Sequence, residues 1–192
     1  MARVKEYDRD KVLEKAALVF WRKGFKGTSI TDLERTTGLN TFSMYREFGD
    51  KEGLFDAAME TYYHMVLMKM VDGLAREPGL AAIRSFLNAF PPIVASRDYT
   101  GCLFMNTLAE KESVNARALR RVREFCGELT GLLEKSIRQA QKKGEIDRHK
   151  DAAALSHFLL CVIQGMALYG RANRDETMIQ KVLDTAFGTV GG

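Results

Sequence analysis

The sequence predicts an all-α protein, and three observations carry that prediction. Apolar residues recur at helical spacing along almost the whole chain. No strong alternation of apolar and polar residues appears, so no strand is expected. Only three prolines occur, Pro78, Pro91 and Pro92, which leaves long stretches open to helix.

The elements follow in order. Leu13, Ala16, Ala17, Phe20 and Gly24 keep helical spacing in a first helix, with Asp8 as its cap and Gly24 as a left-handed stop. Ser29-Ile30-Thr31-Asp32 fits a capping box, in which hydroxyl and carboxylate satisfy the orphan amides of the first turn. A second helix should start there and end at Gly38. Asn40 caps a third helix to about Phe48. Asp50 caps a long fourth helix, on which Phe55, Ala58, Tyr62, Met65 and Val66 share a face; it should fade by Gly73. Pro78-Gly79 marks a loop. A fifth helix carries Ile83, Phe86, Leu87 and Phe90, and Pro91-Pro92 must end or kink it. The loop at 96–101 leads to a short apolar segment, Cys102 to Glu110. A long helix is expected from Val114 to Lys143, with Leu119, Val122, Cys126, Leu129 and Leu133 on one face and Gly144 closing it. Two more should cover 151–171 and 175–188, giving about nine helices in all.

At 192 residues the chain fits one large domain or a small module joined to a larger one, and it can bury a core without metal or disulfide support. Net charge is +4. The first 48 residues hold ten Lys or Arg against seven Asp or Glu, so +3 of the +4 lies near the amino end. That weakly favours a polyanionic partner for this end. Residues 1–11 lack the apolar centre of a secretory leader. No apolar run reaches the roughly 18 residues of a membrane span; the longest, near 158–163, is far shorter. Cys102, Cys126 and Cys161 form no CxxC pair, which points to a reducing compartment and a cytoplasmic protein. His64, His149 and His157 show no metal-ligand spacing, so neither a metal nor a cofactor is expected. No Ser-His-Asp set, phosphate-binding glycine loop or paired carboxylates support an enzyme, and no catalytic residue is assigned.

The stretch from Thr28 to Glu52 carries the functional signal. Two short helices joined by a glycine turn suit a helix-turn-helix, whose second helix enters the DNA major groove. The same pattern also suits an ordinary helical hairpin. The third helix offers Thr41, Ser43 and Arg46 to base edges and phosphates, and Tyr45 adds a hydroxyl on a rigid ring. Lys51 opposes the dipole at the start of the fourth helix, a position that suits a phosphate but equally an ordinary solvated surface lysine. Ile30, Leu33, Leu39, Met44 and Phe48 form the expected small core. Phe42 either meets a thymine methyl or folds back into that core, the second being slightly preferred.

These residues resemble the DNA-binding domain of the TetR family of transcriptional regulators. The resemblance rests on KVLEKAALVFWRKGFKGTSI, on TDLERTTGLN, on MYREF and on GDKEGLF, over about residues 8–56. It implies an amino-terminal three-helix DNA-binding domain at 1–50 and a larger helical ligand-binding and dimerisation domain at 51–192. Thr28, Thr31, Thr41, Ser43, Tyr45, Arg46 and Lys51 match DNA-contacting positions, with Tyr45 and Lys51 on phosphates. Phe42 departs from the small residue the family often has there, which leaves open a helical interaction module with degenerate DNA binding.

The resemblance further implies a homodimer, a double-stranded DNA operator and a small-molecule effector whose binding relieves repression. The helix at 151–171 is apolar nearly all round and must be covered on both sides. It is either a central core helix or half of a dimer face. The candidate dimer residues are Leu155, Phe158, Leu159, Val162, Ile163, Met166, Met178, Ile179, Val182, Leu183 and Phe187. Candidate pocket walls are Tyr62, Met65, Phe86, Phe90, Cys102, Phe104, Met105, His157 and Phe158. The segment Gly101-Cys102-Leu103-Phe104-Met105-Asn106 resembles a pattern in one branch of the family, some of whose members sense reactive electrophiles or metals, which implies for Cys102 a sensor of electrophiles or oxidants. Cys102 is thus either a sensor thiol, which needs a lowered pKa, or a buried, inert cysteine.

Overall fold

A computed structural model describes residues 7–191, and every regular element among them is helical. The helices are α1 (Arg9–Lys23), α2 (Ile30–Thr37), α3 (Thr41–Phe48), α4 (Lys51–Tyr62), α5 (Met68–Arg76), α6 (Leu80–Asn88), α7 (Phe90–Ala95), α8 (Leu103–Ala109), α9 (Ala116–Lys142), α10 (Ala152–Tyr169) and α11 (Glu176–Gly191). A π turn at Tyr63–Leu67 joins α4 to α5, and α6 and α7 are two halves of one helix kinked at Ala89. Counted that way there are nine helices among the described residues, as the sequence predicts. Residues 1–6, which belong to the stretch read above for a leader, lie outside the described residues.

The chain divides into two compact units. One holds the described residues to Leu67 together with Cys102–Val122; the other holds Met68–Gly101 and the described residues from Arg123 onward. The packing units therefore do not follow the boundary at residue 50, because α4 and α8 complete the core of the first. In that core Phe20 meets Phe55 edge to face at 4.9 Å, and Phe25 lies 5.0 Å from Phe55. Leu33 and Met44 are fully enclosed beside them. Each such side chain contributes about 1.5–3 kcal/mol of burial.

Local chemistry sets the helix ends. Asp8 accepts from the amides of Asp10 and Lys11 and starts α1. Asn115 accepts from the Ala118 amide at 2.8 Å, so α9 begins two residues later than the sequence suggests. Pro91 and Pro92 occupy the first turn of α7, where a missing amide hydrogen costs nothing. They kink the helix rather than end it.

In the second unit Phe86 and Phe90 pack edge to face at 5.4 Å. Tyr99 donates its hydroxyl to the Ala167 carbonyl at 3.1 Å. α11 packs on α6, α7 and α10, and it runs to Gly191, past the expected end. α10 corrects the reading of apolar runs. Its 18 residues have a mean hydropathy of 1.6 and, by length and composition, are apolar enough to cross a membrane. Ser156, His157 and Gln164 interrupt it, which is why an unbroken run looks short. Its buried face, Ala152, Ser156, Leu159, Ile163, Met166 and Ala167, belongs to the packed core of the second unit.

Candidate nucleic-acid interface

The site is built from α2, its glycine turn and α3. The capping box forms as expected: the Ser29 hydroxyl accepts from the Asp32 amide at 3.0 Å, and the Ser29 amide donates to Asp32 at 3.1 Å. Lys23 and Arg35 both reach the Asp32 carboxylate, at 2.6 and 2.9 Å. The Lys23 ammonium and the Ser29 hydroxyl hold that carboxyl well below the usual range. Gly38 ends α2 at φ +77°, a left-handed conformation that glycine adopts without steric cost. Asn40 then accepts from the Ser43 amide at 2.8 Å and opens α3.

One contact fixes α3 against α2 and was not foreseen. Glu34 accepts from both the amide and the hydroxyl of Thr41, the latter at 2.6 Å. These two bonds lower the Glu34 pKa. They take the one proton of the Thr41 hydroxyl and leave its oxygen able to accept, on a half-buried side chain. The reading of Thr28 as a DNA contact needs correction. Thr28 is 2% exposed, and its hydroxyl donates to the Gly24 carbonyl at 2.6 Å, so it faces inward.

The outer face of α3 carries Phe42, Tyr45 and Arg46. Phe42 is 75% exposed, which rules out the preferred reading that it folds into the core. The Arg46 guanidinium lies 5.8 Å from the Phe42 ring centre. No carboxylate pairs with Arg46 among the described residues. Ser43 is half-buried, and Thr31 is exposed on α2. Met44, fully buried, anchors the opposite face.

Lys51 begins α4, where Asp50 caps by accepting from Gly53 at 2.8 Å. Its ammonium sits 4.4 Å above the Phe25 ring. Burial pushes its pKa down, and the nearby Glu110 carboxylate opposes that shift. Glu110 caps the far end of α8 and is the second residue that sequence reading missed. It accepts from the amides of Phe25 at 2.7 Å and Lys26 at 3.2 Å. It thereby closes the turn between α1 and α2, directly beneath the Lys51 seat.

The candidate pocket residues are distributed over the two units. In the first unit Tyr62 and Phe104 lie 6.0 Å apart, Met105 is buried and Met65 is half-buried in the π turn. Cys102 starts α8, as a sensor thiol would. Burial nevertheless pushes its thiol pKa up, against the opposing hydrogen bonds of the Met105 amide, the Tyr62 hydroxyl and the Phe104 amide. Phe86 and Phe90 are core residues of the second unit. His157 and Phe158 are exposed on α10, with the His157 Nδ1 2.9 Å from the Ala153 carbonyl.

The dimer candidates also separate. Leu159, Ile163, Met166, Ile179 and Leu183 are buried within their own protomer, a correction to their placement on a partner-facing surface. Phe158 and Val182 are each 39% exposed. Leu155, Val162, Met178 and Phe187 are half-buried.

Two family models match the chain: bacterial regulatory proteins of the tetR family over residues 12–58, and the tetracyclin repressor-like C-terminal domain over residues 79–186. The chain is 32% identical to the HTH-type transcriptional repressor ComR of Escherichia coli, over 95% of this chain and 89% of that protein. It is 22% identical to the HTH-type transcriptional repressor DhaR of a Mycobacterium species, over 93% and 90% of the two chains. A TetR transcriptional regulator from Chloroflexus aurantiacus superposes with a TM-score of 0.82 at 26% identity, over 94% of this chain and 92% of that one. The TetR family regulator CifR, solved as a cysteine mutant with 26-base-pair operator DNA, gives a TM-score of 0.82 at 22% identity, over 98% and 100%. With a helix-turn-helix presenting an aromatic and a guanidinium outward, and with these matches along its length, the chain belongs to the TetR family of bacterial transcriptional regulators.

Proposed function

We propose that this regulator acts as a cytoplasmic homodimeric repressor that leaves its operator when a small molecule binds. Residues 1–50 serve as the DNA-binding part and 51–192 as the effector-binding and dimerisation part. α3 enters the major groove. Phe42, Ser43 and Arg46 face the bases, Thr31 lies at the flank, and Tyr45 and Lys51 hold phosphates. One observation carries the reading. α3 is locked from behind by Met44 and the Glu34–Thr41 bonds, yet it leaves Tyr45 and Arg46 facing solvent. The repressors ComR and DhaR and the operator complex of CifR support it by likeness.

The test is a fluorescence anisotropy titration of the full chain against genomic fragments at several salt concentrations. A specific fragment should bind far more tightly than random DNA, with affinity falling steeply as salt rises. Lys51→Ala and Tyr45→Phe should weaken binding to every sequence, and Lys51→Ala should lower the salt slope by about one. Binding no tighter to any fragment than to random DNA overturns the assignment.

A further inference from the structure

The outward face of α3 is chemically narrow. Thr41 donates to Glu34, Met44 is buried, and Ser43 is half-buried. What protrudes, apart from Tyr45, is a bare phenyl ring beside a guanidinium. Phe42 and Arg46 stand four positions apart, so they share one helix face. Their 5.8 Å separation lies within the range of cation–π attraction, so each side chain restricts the other. A phenyl ring exposed to 75% offers no hydrogen bond, and the core leaves it outside.

Base chemistry narrows the partner. In the major groove the apolar group is the C5-methyl of thymine, and a guanidinium pairs in bidentate fashion with O6 and N7 of guanine. Four residues of helix advance about 6 Å, and stacked bases are about 3.4 Å apart. The two contacts therefore fall about one or two base pairs apart. Resting on the reading of α3 as the groove helix, we infer that Phe42 and Arg46 act as a pair that selects a thymine and a guanine one or two base pairs apart in each half-site. Phe42 covers the thymine methyl and Arg46 grips the purine edge. The residue that departs from the small side chain common at this position thus supplies specificity.

The experiment selects duplexes from a random library with the full chain, then replaces each thymine of the enriched half-site by deoxyuridine, which removes one methyl and nothing else. Burying one methyl corresponds to about a four-fold change in affinity. One deoxyuridine position should weaken the wild type by about that factor and leave Phe42→Ala unaffected. A guanine one or two base pairs from it, changed to 7-deazaguanine, should weaken the wild type and leave Arg46→Ala unaffected. Phe42→Ala should melt at the wild-type temperature, since the ring is exposed. Enriched duplexes that bind equally with and without every methyl overturn the pair while leaving α3 as the reader. So does a Phe42→Ala variant that keeps full methyl discrimination. Failure to enrich any duplex overturns the DNA-binding reading itself.

Discussion

Individual side chains decide how much of the basic charge near the amino end can act. Lys23 and Arg35 converge on Asp32, and Arg9 pairs with Glu47 at 3.1 Å. Those cations are partly neutralised within the protein. Arg46 keeps its charge for a partner, and Lys51 holds its own over an aromatic ring. A count of Lys and Arg therefore overstates the attraction for a phosphate backbone. Burial without a partner matters at this scale too. Ser136 on α9 is fully buried, and its hydroxyl makes no hydrogen bond. An unsatisfied buried hydroxyl costs about 1–3 kcal/mol, while losing its volume costs little. Ser136→Ala should leave stability unchanged or raise it by up to about 1 kcal/mol, read as the midpoint of urea unfolding. A loss of more than that would place a partner on the hydroxyl.

The helices differ in how openly the sequence announces them. α1 to α4 were legible because their signals are local: Asp8, the Ser29–Asp32 box, Asn40 and Asp50 each bond within three residues of themselves. The π turn at Tyr63–Leu67 was not legible, since it carries no proline or glycine. Thr28 was misread because a polar residue at a helix start looks outward in sequence. Its hydroxyl is taken by a carbonyl four residues back, while that of Thr41 donates to a carboxylate seven back. Glu110 was invisible because its bonds reach 84 and 85 residues away. Its part-buried carboxylate ties α8 to the turn after α1. Hydrogen bonds to a charged group contribute about 1.5–3 kcal/mol. Glu110→Ala should therefore destabilise the chain by about 1–3 kcal/mol and speed amide exchange at Phe25 and Lys26. Unchanged exchange there would remove Glu110 from this role.

For the whole molecule, the all-helical class and the helix count followed from periodicity, while the sorting of α10 and α11 faces needed coordinates. A helix apolar on every side does not say which stripe meets its own chain. The structure assigns Leu159, Ile163 and Leu183 inward and leaves Phe158, Leu168, Tyr169 and Val182 in water. An apolar surface of that kind on adjoining helices fits a self-complementary interface between two copies. Phe158→Glu together with Val182→Glu should shift sedimentation from a dimer to a single chain, and operator affinity should fall with it because two linked readers become one. A double variant that still sediments as a dimer would move the interface elsewhere. The backbone conformation at Gly24 has a consequence beyond this molecule. Gly24 sits at φ +73°, which residues with a Cβ rarely adopt, and a Cβ there would also displace the Glu110 carboxylate. Across natural variants position 24 should therefore stay glycine whatever residue stands at 110, because shrinking the carboxylate would leave the backbone strain in place.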